Sequence, residues 1–179
     1  MILILDNDTE LHLTNENFAE TLIQTINENR EHLSAFLSWV DFMQTKENAI
    51  QYLQQCENLQ NENKEISFVI LYHKKLVGRV GIHFINEANK CGAIGYWLSK
   101  DATGKGIITK VCKKILAYGF EQLHLKRIEL KAATTNYKSQ AVAEKLNFTK
   151  EGTLRQAEFV NGEYQDLYLY AMLQEEWKG

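Results

Sequence analysis

The hydrophobic positions change period near residue 66, which divides the chain into a helical first third and a strand-rich remainder. Before that point, two short strand-like stretches, ILIL and ELHLT, precede two amphipathic segments. The second segment begins after Thr45, a suitable helix N-cap. The first begins after Thr14 or Asn15, either of which is a candidate N-cap, and continues towards residue 40 with apolar residues at helical spacing: Phe18, Leu22, Ile23 and Ile26.

After residue 66, the apolar runs are typical of strands. The runs ISFVILY and LVGRVGIHFI, joined by HKK, predict a hairpin, and the nearly continuous GAIGYWL predicts a strand buried on both faces. A helix then leads to the strand RIELKAA and the helix YKSQAVAEKL, after which Asn147 suits a left-handed cap. The last elements form a hairpin around Asn161-Gly162, the strongest two-residue turn signal in the sequence.

This order of elements predicts one α+β domain that spans residues 1–179. The strand–helix–strand unit requires a right-handed crossover between parallel neighbours, whereas the hairpins require antiparallel pairs. We therefore expect a central mixed, mainly antiparallel sheet of about seven strands, with helices on both faces.

Composition and charge exclude several classes of function. The formal charge is −3 and the basic residues are scattered, which gives no indication of a nucleic-acid surface. Cys56, Cys91 and Cys112 lie far apart, and no His or Cys spacing suits a metal. No apolar run approaches the roughly 20 residues of a membrane span, and no signal segment begins the chain. We expect a soluble, cytoplasmic protein that binds no metal, nucleic acid or membrane.

A glycine-containing loop, SKDATGKGIITK, follows the buried strand GAIGYWL and leads into a helix. Free backbone N–H groups at such a junction can bind an anion such as phosphate, although a tight turn alone would also use Gly104 and Gly106. Two common phosphate motifs do not match. The nucleotide P-loop would need glycine where Ser99 stands, and the dinucleotide fingerprint would need Gly or Ala where Thr109 stands.

Three segments, taken together, are similar to the GNAT superfamily of acetyl-CoA-dependent N-acetyltransferases: GYWLSKDATGKGIITK, NYKSQAVAEKLNF and EGTLRQAEFVNGEYQDLYLY. Within the superfamily, the chain resembles the RimL-type subgroup, which acetylates the N-termini of ribosomal proteins. The segment ELHLTNENFAETLIQTINENREHL resembles the opening strand and helices of that subgroup, so the resemblance covers nearly the whole chain. The resemblance implies transfer of acetyl from acetyl-CoA to an amine, with acetyl-CoA as co-substrate.

The resemblance also implies the positions that hold coenzyme A. The pyrophosphate would lie on backbone N–H groups of the glycine loop, contributed by Gly104, Lys105, Gly106, Ile107, Ile108 and Thr109. The pantetheine arm would pair with the backbone of Trp97 and Leu98, if a bulge near them separates this strand from RIELKAA. The Leu98 N–H is the candidate donor to the thioester carbonyl. Asn136 would bind the arm, unless its side chain serves as a helix N-cap.

The resemblance assigns chemistry to two further positions. Ser139 would donate a hydrogen bond to the departing thiolate, and Glu158 would act as the base that accepts the proton of the amine. Other candidates for the base are Glu163, Asp166, Glu87 and His83. For the side chains of Tyr96 and Trp97, plain core packing is the expectation.

The residues alone do not identify the amine that accepts the acetyl group. The favoured acceptor is a protein N-terminal α-amine, as in the RimL-type subgroup, and the alternatives are a small amine, an aminoglycoside, or a non-catalytic sensor of acyl-CoA. The helices within about residues 15–61 would form a flap on the acceptor side. In that region Phe36, Trp39 and Phe42 are expected in the core, with one wall of an acceptor groove as the alternative. The aromatic last hairpin suggests a homodimer.

Overall fold

The computed structural model describes all residues, 1–179, and contains one eight-stranded sheet in the order β1-β2-β3-β4-β5-β6-β8-β7. The strands are β1 (Ile2–Ile4), β2 (Thr9–Leu13), β3 (Ile66–Tyr72), β4 (Lys75–Asn86), β5 (Cys91–Leu98), β6 (Arg127–Ala133), β7 (Thr149–Val160) and β8 (Glu163–Leu173). Only the β5–β6 pair is parallel. The predicted mixed, mainly antiparallel sheet is confirmed, with eight strands where about seven were expected.

Five α-helices cover the two faces of this sheet. They are α1 (Ala19–Glu28), α2 (Arg30–Ser34), α3 (Lys46–Asn61), α4 (Ile107–Glu121) and α5 (Tyr137–Lys145). The Thr45 side chain accepts a hydrogen bond from the Asn48 N–H, and the Asn48 side chain accepts one from the Thr45 N–H, so a capping box begins α3. None of the helices is long and apolar enough to cross a membrane.

The single long helix predicted after Thr14 is wrong, because the chain breaks into shorter pieces there. Asn15 caps only a short 3-10 turn, and Asn29 leaves the helical conformation with φ of −123°. The Asn29 amide donates to the Thr25 carbonyl, and its oxygen accepts from the Lys100 N–H. These contacts stabilise the break and connect the first helices to the loop after β5.

Two hydrophobic clusters lie on opposite faces of the sheet. The larger cluster packs α4 and α5 against the even-numbered residues of β5 and β6, including Ile94, Leu98 and Leu130. The smaller cluster packs α1, α2 and α3 together with Trp97, on the other face. Successive strand residues point to opposite faces, so Tyr96 and Trp97 belong to different layers of the molecule.

A buried polar network fixes the first helices to the sheet. The Arg79 guanidinium, on β4 and 4% exposed, bonds to Glu65 at 3.0 Å and to Ser67 at 2.6 Å. It also contacts the Tyr52 hydroxyl on α3. Burial pushes the pKa of Glu65 upward, but hydrogen bonds, above all from His83, hold that pKa below its usual value. The network therefore contains a charged carboxylate inside the protein.

Two local predictions at turns are confirmed. Asn147 has φ of +62° at the end of α5, as a left-handed cap requires. Asn161 and Gly162 have φ of +52° and +83°, which suits the two central residues of a type I′ hairpin turn.

The network predicts that Glu65→Leu lowers the free energy of unfolding by about 3–5 kcal/mol, because it leaves the buried Arg79 charge without a carboxylate. The control is Glu151→Leu, which removes an exposed partner of Arg127 and should cost at most about 1 kcal/mol. Urea denaturation followed by circular dichroism measures both. Equal losses in the two variants would contradict the stabilising role of the network.

Candidate active site

The parallel pair β5–β6 ends early and opens a gap in the middle of the sheet. The strands pair from Cys91–Arg127 to Ala93–Glu129, and β5 then continues to Leu98 without a partner on that side. Strand β6 continues to Ala133 but pairs there only with β8. The backbone of β5 beyond Ala93 is therefore free on one edge, as the addition of an extended, amide-containing arm requires.

The Leu98 N–H faces this gap. The Ser99 N–H donates to the Val77 carbonyl at 2.7 Å, so by the alternation of an antiparallel ladder the Leu98 N–H points away from β4. The bulge predicted near Trp97 and Leu98 is wrong, since their register with β4 is regular. The shifts in register lie next to Val77 and at residues 84–85, so the separation of β5 from β6 needs no bulge in β5.

The glycine loop presents a row of unpaired donors beside the same end of β5. The six consecutive N–H groups from Gly104 to Thr109 donate to no other protein group, and Gly106, the N-cap of α4, provides no capping side chain. Gly104 and Gly106 have φ of +77° and +74°, and a Cβ at either position would meet nothing within 4 Å. The loop therefore has the donors, open space and helix dipole that a pyrophosphate needs.

Side chains around the loop add positive charge. Lys105 is exposed, and its Nζ lies 5.6 Å from the centre of the Tyr72 ring. Lys110, in the first turn of α4, pairs with Asp6 and holds the pKa of that carboxyl well below its usual range. The fit of the loop to an anion does not depend on Lys110, because Asp6 already balances its charge.

Asn136 and Ser139 begin α5, beyond the gap from β5. The Asn136 oxygen accepts the Ser139 N–H at 3.1 Å, so this side chain is an N-cap. Its amide nitrogen donates to no protein group and is free to bind a ligand. Gln140 closes the corner before the helix by donating to the Ala133 and Thr134 carbonyls, both at 3.0 Å.

The expectation of core packing holds for the Trp97 side chain, and Tyr96 also packs against the larger cluster, although its hydroxyl makes a further contact. Trp97 is buried in the smaller cluster, with its ring 6.1 Å from that of Trp39. The Tyr96 hydroxyl lies 2.8 Å from Ser139 Oγ. The hydrophobic periodicity correctly predicts that Tyr96 lies in a strand. It does not predict the contact with Ser139, because that contact depends on how far β5 and β6 separate.

Glu158 lies on the other face of the sheet from Tyr96 and Ser139. It stands directly opposite Gln165 on β8, so both side chains point to the face of α1, α2 and α3. Burial raises the pKa of Glu158. The Gln165 Oε1 is also buried there and has no hydrogen-bond partner. Sequence reasoning did not single out Gln165, because its position opposite Glu158 depends on the register of the hairpin.

An irregular stretch of β7 sets that register. Leu154 pairs with Leu167 and Glu158 with Gln165, so residues 155–157 stand opposite Asp166 alone. Gln156 has φ of +49°, and its N–H donates to the Asp166 carboxylate at 2.8 Å. Asp166, one of the candidate bases, is thus engaged in holding the bulge that orients Glu158.

The structure places two of the other candidate bases, Glu163 and Glu87, away from the gap. Glu163 is exposed beside the hairpin turn, and Glu87 lies in the β4–β5 turn, at the end of β5 remote from Leu98. His83 pairs with Ala93, and its Nδ1 lies 2.9 Å from Glu65. The His83 ring lies beside the gap, since a Cβ on Gly95 would be 3.4 Å from its Nε2. These positions leave Glu158 and His83 as candidates on the acceptor face.

His32, which the sequence did not indicate, lies near the same edge. It is half-buried on α2, and burial and the charge of Lys138 lower its pKa, while the Leu98 carbonyl acts in the opposite direction. The neutral ring next to Leu98 can accept a proton, so His32 is a further candidate base. No spacing in the sequence connects it with Leu98.

The predicted aromatic cluster is divided. Trp39 is half-buried between Tyr52 and Trp97, with ring centres 6.4 Å and 6.1 Å away. Phe42 is 80% exposed, so core packing is wrong for it. The 3-10 turn Ser38–Phe42 replaces the helix that was expected to place both rings on one side. No group of three or more His, Cys, Asp or Glu side chains is arranged to hold a metal.

Comparison with known proteins identifies this arrangement. A family model for the acetyltransferase (GNAT) domain matches residues 11–149. The chain belongs to the GNAT acetyltransferase family. Its resemblance to that family and its RimL-type subgroup is thereby confirmed, and the chain is an N-acetyltransferase that uses acetyl-CoA.

Named relatives and solved structures match this GNAT enzyme over most of its length. The ribosomal-protein-serine acetyltransferase of Escherichia coli K12 is 33% identical, over 92% of each chain. A RimL ribosomal L7/L12 α-N-protein acetyltransferase in complex with coenzyme A has a TM-score of 0.94 and 26% identity, covering 98% of this chain and 99% of that one. The microcin C7 self-immunity acetyltransferase MccE, in complex with acetyl-CoA and AMP, has a TM-score of 0.88 and 29% identity, over 94% of each chain.

The loop geometry predicts that Gly106→Ala weakens coenzyme A binding about 10-fold. A Cβ at this positive φ costs about 1–2 kcal/mol, and relief of that strain would turn the N–H groups away from their common target. Gly152→Ala is the control, because a Cβ there also meets nothing within 4 Å but lies in β7. Titration calorimetry measures both. Unchanged affinity in Gly106→Ala would remove the loop from coenzyme A binding.

Proposed function

We propose that this N-acetyltransferase acetylates the N-terminal α-amine of a protein, with a ribosomal protein as acceptor. The observation that carries the proposal is the placement of groups around the gap. The row of free N–H groups and Ser139 lie on the side of α4 and α5, and Glu158 lies on the side of α1, α2 and α3. An amine arriving at one face can therefore attack an acetyl group held from the other.

Each group has a role that its surroundings allow. The Leu98 N–H would donate to the thioester carbonyl, where negative charge develops during attack. Glu158 would accept the proton of the amine, directly or through a water molecule. The Ser139 hydroxyl would donate to the departing sulfur.

The pKa of the acceptor favours an α-amine. An α-amino group has a pKa of about 8, so removing its proton at pH 7 costs about 1.4 kcal/mol. A lysine-type amine, with a pKa of about 10.4, would cost roughly 4–5 kcal/mol. One carboxylate of raised pKa is a sufficient base for the first amine and a weak one for the second. The name of the E. coli relative, a ribosomal-protein-serine acetyltransferase, supports the same choice.

A small-molecule acceptor is the second candidate. The MccE structure contains AMP as well as acetyl-CoA, so this fold also occurs in an enzyme that binds a nucleotide. An aminoglycoside or another small amine would then replace the protein N-terminus at the face of α1, α2 and α3. A non-catalytic sensor of acyl-CoA would bind the co-substrate and transfer acetyl to no acceptor.

Two further features belong to the proposal. The segment with α1, α2 and α3, within about residues 15–61, would form the acceptor-side flap, and a ribosomal acceptor would place the enzyme in the cytoplasm. A homodimer would cover the outer edge of β7, next to the exposed rings of Phe159 and Tyr164.

A mass-spectrometric acceptor screen tests the proposed function. The enzyme and acetyl-CoA are incubated with purified ribosomal proteins, with the same proteins blocked at the N-terminus, and with a panel of polyamines and aminoglycosides. We expect a single acetyl group on the N-terminus of an unblocked protein. Acetylation of small amines alone would favour the second candidate, and acetyl-CoA binding without any acetylated product would favour the sensor.

The base assignment predicts that Glu158→Gln lowers kcat by about 10²–10³-fold while coenzyme A binding is retained. Since burial raises the pKa of Glu158, the wild-type rate should fall with decreasing pH through a pKa above the usual glutamate range, and the variant should lack that limb. Glu163→Gln, a nearby exposed acid, is the control. If Glu158→Gln keeps its rate and His32→Gln loses it, the base is His32.

A further inference from the structure

The Tyr96–Ser139 contact joins the two sides of the gap. Tyr96 lies on β5 beyond the last residue that pairs with β6, and Ser139 lies in the first turn of α5, which follows β6. Their hydroxyl oxygens are 2.8 Å apart. No other side-chain hydrogen bond connects β5 with β6 or α5, so this contact crosses the separation where the thioester must lie.

The direction of this hydrogen bond decides what Ser139 can do. Burial raises the pKa of the Tyr96 phenol, so this hydroxyl stays protonated and has one hydrogen to donate. The Ser139 carbonyl, at 3.5 Å, is too far for a good O–H···O bond, whereas Ser139 Oγ is at a normal distance. Donation from Tyr96 to Ser139 therefore uses the phenol hydrogen and leaves the serine hydrogen without a partner.

We propose that Tyr96 is a positioning residue for acyl transfer, which donates to Ser139 Oγ and so directs the serine hydrogen at the leaving sulfur. The inference rests on the proposed role of Ser139. In the step itself, the N–C bond forms, the C–S bond breaks and its electron pair ends on sulfur. The amine proton passes to the base, and the Ser139 hydroxyl stabilises the thiolate until it dissociates.

Tyr96 is needed because the hydroxyl of a serine in a first helical turn can adopt other rotamers and hydrogen bonds. Its hydroxyl can rotate among staggered positions and can donate to a backbone carbonyl one turn earlier, which for Ser139 is that of Thr135. In this structure Ser139 makes no such bond, and its Oγ contacts Tyr96 alone. Without the phenol, the hydrogen would spend much of its time directed away from the gap. Phenylalanine at position 96 would keep the ring and remove only this orientation.

The first test measures the bound thiol and needs no acceptor. The ultraviolet absorbance of the thiolate is titrated for coenzyme A in complex with wild type, Tyr96→Phe and Ser139→Ala. We expect the bound thiol of the wild-type complex to have a pKa about one unit below the free thiol value of about 8.5, and both variants to return it towards that value. Equal pKa values in all three complexes would overturn the proposal.

The second test is a double-mutant cycle in kcat, with whichever amine the wild type acetylates. Tyr96→Phe should lower kcat about 10-fold at unchanged melting temperature and unchanged affinity for coenzyme A, and should have no further effect in the Ser139→Ala background. Effects of the two substitutions that multiply in the double variant would overturn the proposal. An inactive wild type would refute the proposed function, whereas the thiol titration would still decide the role of Tyr96.

Discussion

The short parallel pairing of β5 and β6 is the constraint on which the site depends. A parallel pair inside an otherwise antiparallel sheet has no hairpin to hold its two strands together, because a helix joins them. After the pair Ala93–Glu129, β5 remains with β4 and β6 remains with β8, so the two halves of the sheet separate. The separation exposes the backbone edge that ends at Leu98.

The two faces of the sheet beside this gap carry different chemistry. The face of α4 and α5 has the unpaired N–H groups from Gly104 to Thr109 and the Ser139 hydroxyl, all of which can donate. The opposite face has the Glu158 carboxylate, which can accept. A thioester with a phosphate-containing carrier needs donors, and an attacking amine brings N–H groups that need acceptors. Under the proposed assignment, the two substrates would approach from different faces of the sheet and meet at the gap.

The sequence predicts the features that depend on local conformation. The glycine loop, the Thr45 cap, Asn147 and the Asn161-Gly162 turn each follow from a backbone angle or a cap that only a few residue types allow. It does not predict features that depend on contacts between distant elements. The break at Asn29 is stabilised by the loop after β5, and the orientation of Glu158 depends on a bulge held by Asp166. The contact of Tyr96 with Ser139 requires β5 and β6 to separate. The hydrophobic periodicity of the sequence does not indicate where two strands separate.

The cysteines of the chain are consistent with direct transfer in a ternary complex. Cys56 and Cys112 are buried, and burial raises the pKa of both thiols, so neither is a thiolate near neutral pH. Cys91 begins β5, at the end of the strand that pairs with β6 and away from Leu98. An acyl-enzyme would therefore lack a cysteine nucleophile at the gap. Direct attack by the amine agrees with this arrangement, in which the protein would place the nitrogen, accept a proton and stabilise the sulfur that leaves.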